Sequence, residues 1–376
     1  MLWCWLIAVA AAVVALGSLA GERRRAVYVR ARLAARADAP PPAAVIVPVK
    51  GPDCGLRENL AALAALDYPS YELIVAAQCA ADIPPGVLPR RAKVVLAHGG
   101  NPQASEKARN LAAAVKAARQ STAVFAFADS DVCVTAGWLR ALVAPLDETG
   151  IGASTGYRWF MPGRPGLWSL LRAVWDGTTL GVLGPGDNPF AWGGSMAIRK
   201  ETFFAAGVFE SWKTAVSDDY ALSDAVHRAG LRIAFAPGAL APCPEPTTAR
   251  GFFTWSRRQL LLTRAYRPRL WRAALAAHAL YCAGMAAGLT GWAHGSAVAG
   301  VLLATQLLPG MAKGFGRLRL ARAALPGYTA WFRRWGWAHV LLVPIATWLW
   351  LAVLLASARG DSIEWRGSAY RLPVRP

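Results

Sequence analysis

The hydrophobic pattern divides the chain into two kinds of segment. Four long apolar stretches free of Asp, Glu, Lys and Arg occupy residues 2–20, 273–292, 295–312 and 336–358. Each approaches the ~20 residues that a helix needs to cross about 30 Å of hydrocarbon. The pattern therefore predicts one membrane helix before a folded domain and about three after it. The stretch 295–312 is the shortest and carries Gln306 and Pro309.

Between the anchors the period changes. Residues 43–49 form a β-branched run, 56–66 have helical spacing, and 71–77 and 93–97 read as strands. Residues 105–119 are helical, 123–128 are a wholly apolar strand, and Thr135 suits the N-cap of a helix reaching Leu142. This β-α alternation predicts an α/β domain built on a parallel, doubly wound sheet. From 151 to 270 the connections are rich in Gly and Pro, with a helix near 219–228. The expected layout is an anchor at 1–20, a folded domain at 21–270, a membrane region at 271–358 with a basic loop at 313–335, and a tail at 359–376.

Composition supports a membrane protein. Hydrophobic residues make up 55% of the chain and charged residues 17%, against about 25% charged in soluble proteins. The formal net charge of +19 points to an anionic partner. The basic residues cluster beside the apolar runs, at Arg23–Arg25 and between Lys313 and Arg334, which favours lipid headgroups over nucleic acid. Arginines follow the first apolar stretch instead of preceding it, so it reads as a retained anchor and not a cleaved signal peptide. The same charges place residues 21–270 and the basic loop in the cytoplasm, with a bacterial inner membrane as the expected setting. The tail, with four arginines, would then fall outside, against that rule, so its side stays open. The six cysteines show no CxxC pair, and so no disulfide framework or zinc spacing.

Three acidic or basic groups carry candidate chemistry. Asp129-Ser130-Asp131 follows the apolar strand directly, where open α/β sheets bind ligands. Two carboxylates there suit a divalent cation, Mn²⁺ or Mg²⁺, that neutralises a diphosphate; a solvated turn is the plainer reading. Asp218-Asp219 opens a helix, fitting either the helix dipole or a general base that takes a proton from an acceptor hydroxyl. Arg257-Arg258-Gln259 fits either a positively charged membrane flank or a diphosphate clamp. Gly193-Gly194-Ser195 after Trp192 permits close backbone approach to a sugar or acceptor, or is a tight strand bend. Gly99–Asn101 is a turn that matches no P-loop or dinucleotide motif.

The ordered set Pro48–Asp53, Leu66-Asp67-Tyr68-Pro69, Asp129-Ser130-Asp131 and Asp218-Asp219-Tyr220 resembles family 2-type glycosyltransferases. More narrowly it resembles the ceramide glucosyltransferase-like group, family 21, whose Lys-x-x-Asn-Leu segment is matched by Lys107–Leu111. The similarity spans about residues 43–270. It implies a GT-A fold, a UDP-sugar donor and inverting transfer to a lipid. Asp53, Lys107, Asp129, Arg257, Arg258 and Gln259 would bind the donor, and Asp129 with Asp131 the metal. Asp219 would act as base beside Asp218, and Trp192, Gly193 and Gly194 would border the acceptor or sugar pocket. Two positions depart from the family: Cys79, with Asp82 nearby, stands where a nucleotide-binding acidic residue is common, and the family's Arg-Trp pair after Arg257 is missing. A processive polysaccharide synthase and an inactive sugar-nucleotide-binding protein are the competing readings, and polyprenyl phosphate, sterol or hopanoid the competing acceptors.

Overall fold

A computed structural model describes residues 2–34, 39–99 and 101–373. Gly100 of the Gly99–Asn101 turn, residues 374–376 of the tail and the side chain of Cys4 lie outside the described residues. The first apolar stretch forms α1 (Leu2–Gly17), which turns at Ser18 into α2 (Leu19–Ala34). Ala8, Ala11, Ala12 and Ala15 make the buried face of α1, while Leu6, Val9, Val13 and Leu16 point outward. Small residues inward and large apolar residues outward is the pattern of a helix solvated by lipid. α2 docks on the domain: the Tyr28 hydroxyl donates to the Phe235 carbonyl at 2.6 Å and Arg25 Nε to the Leu183 carbonyl at 2.8 Å.

The domain is a seven-stranded sheet. Its strands are β1 (Ala43–Pro48), β2 (Tyr71–Ala77), β3 (Ala92–Leu96), β4 (Val124–Ala128), β5 (Ile151–Phe160), β6 (Ser195–Arg199) and β7 (Arg232–Cys243). They lie in the order β3-β2-β1-β4-β6-β5-β7, parallel except for β6, which runs antiparallel to both neighbours. β1, β2 and β4 read as continuous apolar runs because their side chains are buried on both faces of the sheet. The covering helices include α3 (Leu56–Ala64), α4 (Glu106–Ala117), α5 (Trp138–Val143), α6 (Leu167–Gly177), α7 (Lys200–Ala205), α8 (Val208–Trp212), α9 (Asp218–Arg228) and α10 (Ala249–Tyr266). Gly137, and not Thr135, occupies the N-cap of α5, with the Thr135 carbonyl taking the Trp138 N–H one turn earlier.

The C-terminal membrane region differs in detail from the hydropathy reading. α11 (Pro268–Ala293) and α12 (Ala297–Ala324) are, with the N-terminal helix, long and apolar enough to cross a membrane. The stretch expected to be the weakest span thus belongs to a 28-residue helix, and residues 313–324 continue that helix instead of forming a loop. The last apolar stretch, residues 336–358, breaks into α14 (Ala338–Leu341) and α15 (Val343–Ser357), preceded by α13 (Thr329–Trp335) in the basic segment. α15, with 15 residues, is about 22 Å long, short of the hydrocarbon thickness. One side packs on the domain, with Trp350 stacked on Trp175 of α6 at 4.1 Å, and the other exposes Ile345, Trp348 and Leu355.

The tail forms a hairpin, β8 (Ser362–Trp365) and β9 (Ser368–Arg371), whose Ile363 and Tyr370 pack with Leu372 against Leu261 of α10. It lies on the domain's own side of the apolar helices, with Arg359, Arg366 and Arg371. In a cysteine-free background, cysteines replacing Gly327 and Ser362 should be labelled by a membrane-impermeant thiol reagent from one side, and a cysteine replacing His294 from the other. Labelling of Ser362→Cys from the His294 side would contradict this arrangement.

Candidate active site

A cleft of about 360 Å³ opens where the sheet ends at β1 and β4. The loop after β4 is pinned from below: Asn59 Nδ2 donates to the Ser130 carbonyl at 2.9 Å, and the Ser130 hydroxyl donates to Asp53. That leaves the carboxylates of Asp53, Asp129 and Asp131 on one wall. Lys107 lies in the first turn of α4, whose N-cap Ser105 Oγ accepts the Ala108 N–H at 3.2 Å. Its Nζ sits 2.7 Å from Asp129 Oδ1 and 3.3 Å from Asp218 Oδ2, tying the two acidic segments together.

α9 presents Asp218 and Asp219 from the opposite wall. Trp212 Nε1 donates to the Asp218 carbonyl at 2.8 Å, fixing the helix start. The Asp219 carboxylate accepts N–H groups from Gly193 at 3.2 Å and Tyr220 at 2.7 Å, and the Ser217 hydroxyl as well. Gly193 and Gly194 lie in a tight turn closed by the Ser195 N–H on the Trp192 carbonyl at 3.0 Å. A β-carbon on Gly193 would come within 2.7 Å of Asp218 Oδ2, and one on Gly194 within 2.3 Å of the Trp192 ring and 2.7 Å of Asp129 Oδ2. The tight bend exists, and it brings bare backbone against the carboxylates of Asp218 and Asp129.

Asp53, Lys107, Asp129, Asp131, Trp192, Asp218, Asp219, Arg258 and Gln259 therefore line one cleft. Arg257 does not. Neighbouring residues on a helix diverge by about 100°, so Arg258 turns to the cleft while Arg257 turns away, its Nε to the Ala356 carbonyl at 3.0 Å. Cys79 and Asp82 bond to each other, N–H to Oδ2 at 3.1 Å, outside the cleft. Sequence reasoning missed Arg158 of β5, Glu245, and Trp365, Arg366 and Tyr370 of the hairpin, all on the cleft wall.

The electrostatics are those of crowded like charges. Burial, reinforced by Asp129 and Asp53, pushes the Asp131 carboxyl up to about 7. Burial also raises Asp218 to about 7 against the pull of Lys107, with Asp219 and Asp129 adding to the rise. Burial alone would lower Lys107, but Asp129, Asp218 and Asp219 around it raise it, so it stays charged. On the other wall burial, reinforced by the neighbouring Arg158 and Arg366, depresses Arg258 to about 10. Arg258 makes no ion pair or hydrogen bond among the described residues. Also among the described residues, no three His, Cys, Asp or Glu side chains close on one point as a complete metal site. Two carboxylates completed by diphosphate oxygens and water are, however, the donor set on which Mg²⁺-type ions are held.

A second cavity of about 230 Å³ adjoins the cleft and runs to the membrane helices. Its lining is largely apolar: Trp175, Phe190, Leu270, Trp271, Trp350 and Leu354, with Ala274 and His278 from α11. Asp176 also lines it and keeps Oδ2 without a hydrogen-bond partner. Asp219 is the one carboxylate shared by the two spaces among the described residues.

A parallel-dominated sheet with acidic residues after β1 and β4, faced by a helix-borne Asp pair, is a GT-A glycosyltransferase domain, here joined to apolar helices. The chain belongs to Glycosyl transferase family 21, which matches residues 3–375. A similar solved structure is the mannosyltransferase PcManGT from Pyrobaculum calidifontis in complex with GDP-Man and Mn²⁺, 19% identical with a TM-score of 0.50, covering 93% of this chain and 99% of that one. GalNAc-T7 with UDP, GalNAc and Mn²⁺ aligns at 12% identity and a TM-score of 0.41, over 61% of this chain and 51% of that one. No curated protein matches the chain.

Gly194→Ala should cost about 1–3 kcal/mol as Trp192 and Asp129 give way, read as a lower unfolding midpoint. An unchanged midpoint would show that the turn has room. The site's charge also makes a pH prediction for the metal-free protein. The folded chain holds the Asp131 and Asp218 protons up to about pH 7, whereas the unfolded chain releases them near 3.8. Between those values the native state binds more protons, so its stability falls as pH rises. Asp131→Asn should flatten that slope in thermal melts at pH 5–8; a variant slope equal to wild type would contradict the assignment.

Proposed function

We propose that this glycosyltransferase moves a hexose from a UDP-sugar, with inversion, to the hydroxyl of a lipid such as ceramide at the cytoplasmic face of a membrane. Residues 21–270 form the catalytic domain in this reading. The observation that carries it is the position of Asp219, at the boundary between a charged cleft and an apolar cavity walled by helices of the membrane region.

The donor lies in the charged cleft. Asp129 and Asp131 would hold Mn²⁺ or Mg²⁺, which supplies the positive charge that a departing diphosphate needs. Arg258, half-buried and without an ion pair among the described residues, faces the same oxygens; Arg158 stands beside it, its guanidinium 5.2 Å from the Trp192 ring. Lys107 keeps Asp129 and Asp218 at fixed separation. Asp53 and Gln259 complete the donor wall.

The acceptor headgroup enters from the apolar cavity, with its chains left among α11 and α15. Asp219 accepts the hydroxyl proton as the acceptor oxygen bonds to the anomeric carbon. The bond from that carbon to the diphosphate breaks on the opposite face, and the electron pair leaves with the nucleoside diphosphate. The N–H groups of Gly193 and Tyr220 aim the carboxylate, and Trp192 borders both the sugar and the acceptor. General-base assistance is worth about 10²–10⁴ in rate.

Purified protein with Mn²⁺ or Mg²⁺, a UDP-hexose and candidate lipids should release UDP and form a glycolipid detectable by mass spectrometry. Asp219→Asn should retain donor binding while transfer falls about 10²–10⁴-fold. Asp131→Ala should abolish metal-dependent donor binding. Equal turnover by Asp219→Asn and wild type would overturn the base assignment, and long polymeric products would overturn the single-transfer reading.

A further inference from the structure

The tail hairpin reaches back over 300 residues of chain to the donor cleft. Trp365, Arg366 and Tyr370 line it, and the Arg366 guanidinium binds both the Asp53 carboxylate and the Lys50 carbonyl. The seat of the hairpin is built for this. Arg257 and Arg264, one helical face of α10, bind carbonyls of residues 356–360 just before the hairpin; Arg257 reaches Ala356 at 3.0 Å and Arg359 at 3.1 Å. On the far strand the Tyr370 hydroxyl accepts the Glu106 N–H at 3.3 Å, at the start of the helix that carries Lys107.

Arg366 itself is held in an unusual backbone state. It occupies the first position of the two-residue turn with φ 47°, the one non-glycine residue with positive φ among the described residues, followed by Gly367 at φ 77°. Turns of that shape favour Asn-Gly, because a longer side chain at the first position is strained. An arginine there is poor turn chemistry, and it places a cation on the cleft rim. Arg158, Arg258 and Arg366, from three separate elements, then face one space, and Arg258 makes no ion pair among the described residues.

We propose that the C-terminal hairpin is part of the donor site, with Arg366 binding the diphosphate of the nucleotide-sugar and Trp365 walling the nucleotide beside it. The proposal rests on the nucleotide-donor reading of the cleft. The Asp53 and Lys50 contacts hold the guanidinium at the rim, and the incoming diphosphate takes its charge-assisted hydrogen bonds on the face turned to Arg258.

The test is calorimetric binding of UDP, with GDP as comparison, to the full-length protein in lipid nanodiscs with Mn²⁺. Arg366→Asn suits the turn better than arginine, so its unfolding midpoint should equal or exceed wild type. Its dissociation constant for UDP should nonetheless rise about tenfold or more. Arg366→Lys, keeping the charge without the fork, should fall between the two. UDP binding by Arg366→Asn as tight as wild type would overturn the hairpin's role and leave the cleft's role standing. Tighter binding would overturn it differently, by showing that the hairpin plugs the cleft. A wild-type protein that binds neither UDP nor GDP would overturn the donor reading along with it.

Discussion

Five aspartates from three distant segments share one partly buried cleft, and the structure depends on how their mutual repulsion is relieved. Lys107 is the internal answer: one ammonium, buried between Asp129 and Asp218, links the β4 loop to the start of α9. Lys107, with Arg366 on Asp53, does not neutralise the set, and Asp131 carries the remainder as a carboxyl that resists ionisation. Such a site is poised for a divalent cation, and the unpaired guanidinium opposite is poised for an anion. Charge imbalance that would be a fault in a structural core becomes, in a cleft, the affinity for a metal–diphosphate pair.

The second constraint is attachment. α2 fastens the anchor to β7 and to the turn after α6, while Trp175 of α6 stacks on Trp350 of α15. The domain is therefore held at a set height and orientation against the apolar helices. Asp219 consequently faces an apolar space that is continuous with α11. In the proposed reading, reach from a lipid headgroup to Asp219 is then a property of the fold and needs no loop to search for it.

Much of this was legible in the chain. Asp129, Asp131 and Asp219 lie just after a strand or at a helix start, where local pattern announces polar side chains, whereas Asp53 was marked only by the family resemblance. The parallel strands were legible because burial on both faces leaves unbroken apolar runs. Arg257 and Arg258 could not be told apart, since the phase of α10 is set by its packing on Leu260 and Leu261 and by no local signal. Hydropathy counted residues 336–358 as a span because it measures apolar content and not what an apolar face touches; Trp350 and Leu354 are buried against protein. That assignment left the side of the tail open, so Arg366 entered no reading of the cleft.

The central claim is spatial, that the two acidic segments meet on one metal-bound diphosphate. A structure of the full-length protein with UDP and Mn²⁺, with the metal located by its anomalous scattering, tests it most directly. The account predicts a Mn²⁺ peak within coordination distance, about 2.0–2.3 Å, of Asp129 or Asp131, with the diphosphate turned to Arg258 and Asp219 across the vacant sugar position. Metal or nucleotide bound away from these residues would contradict it.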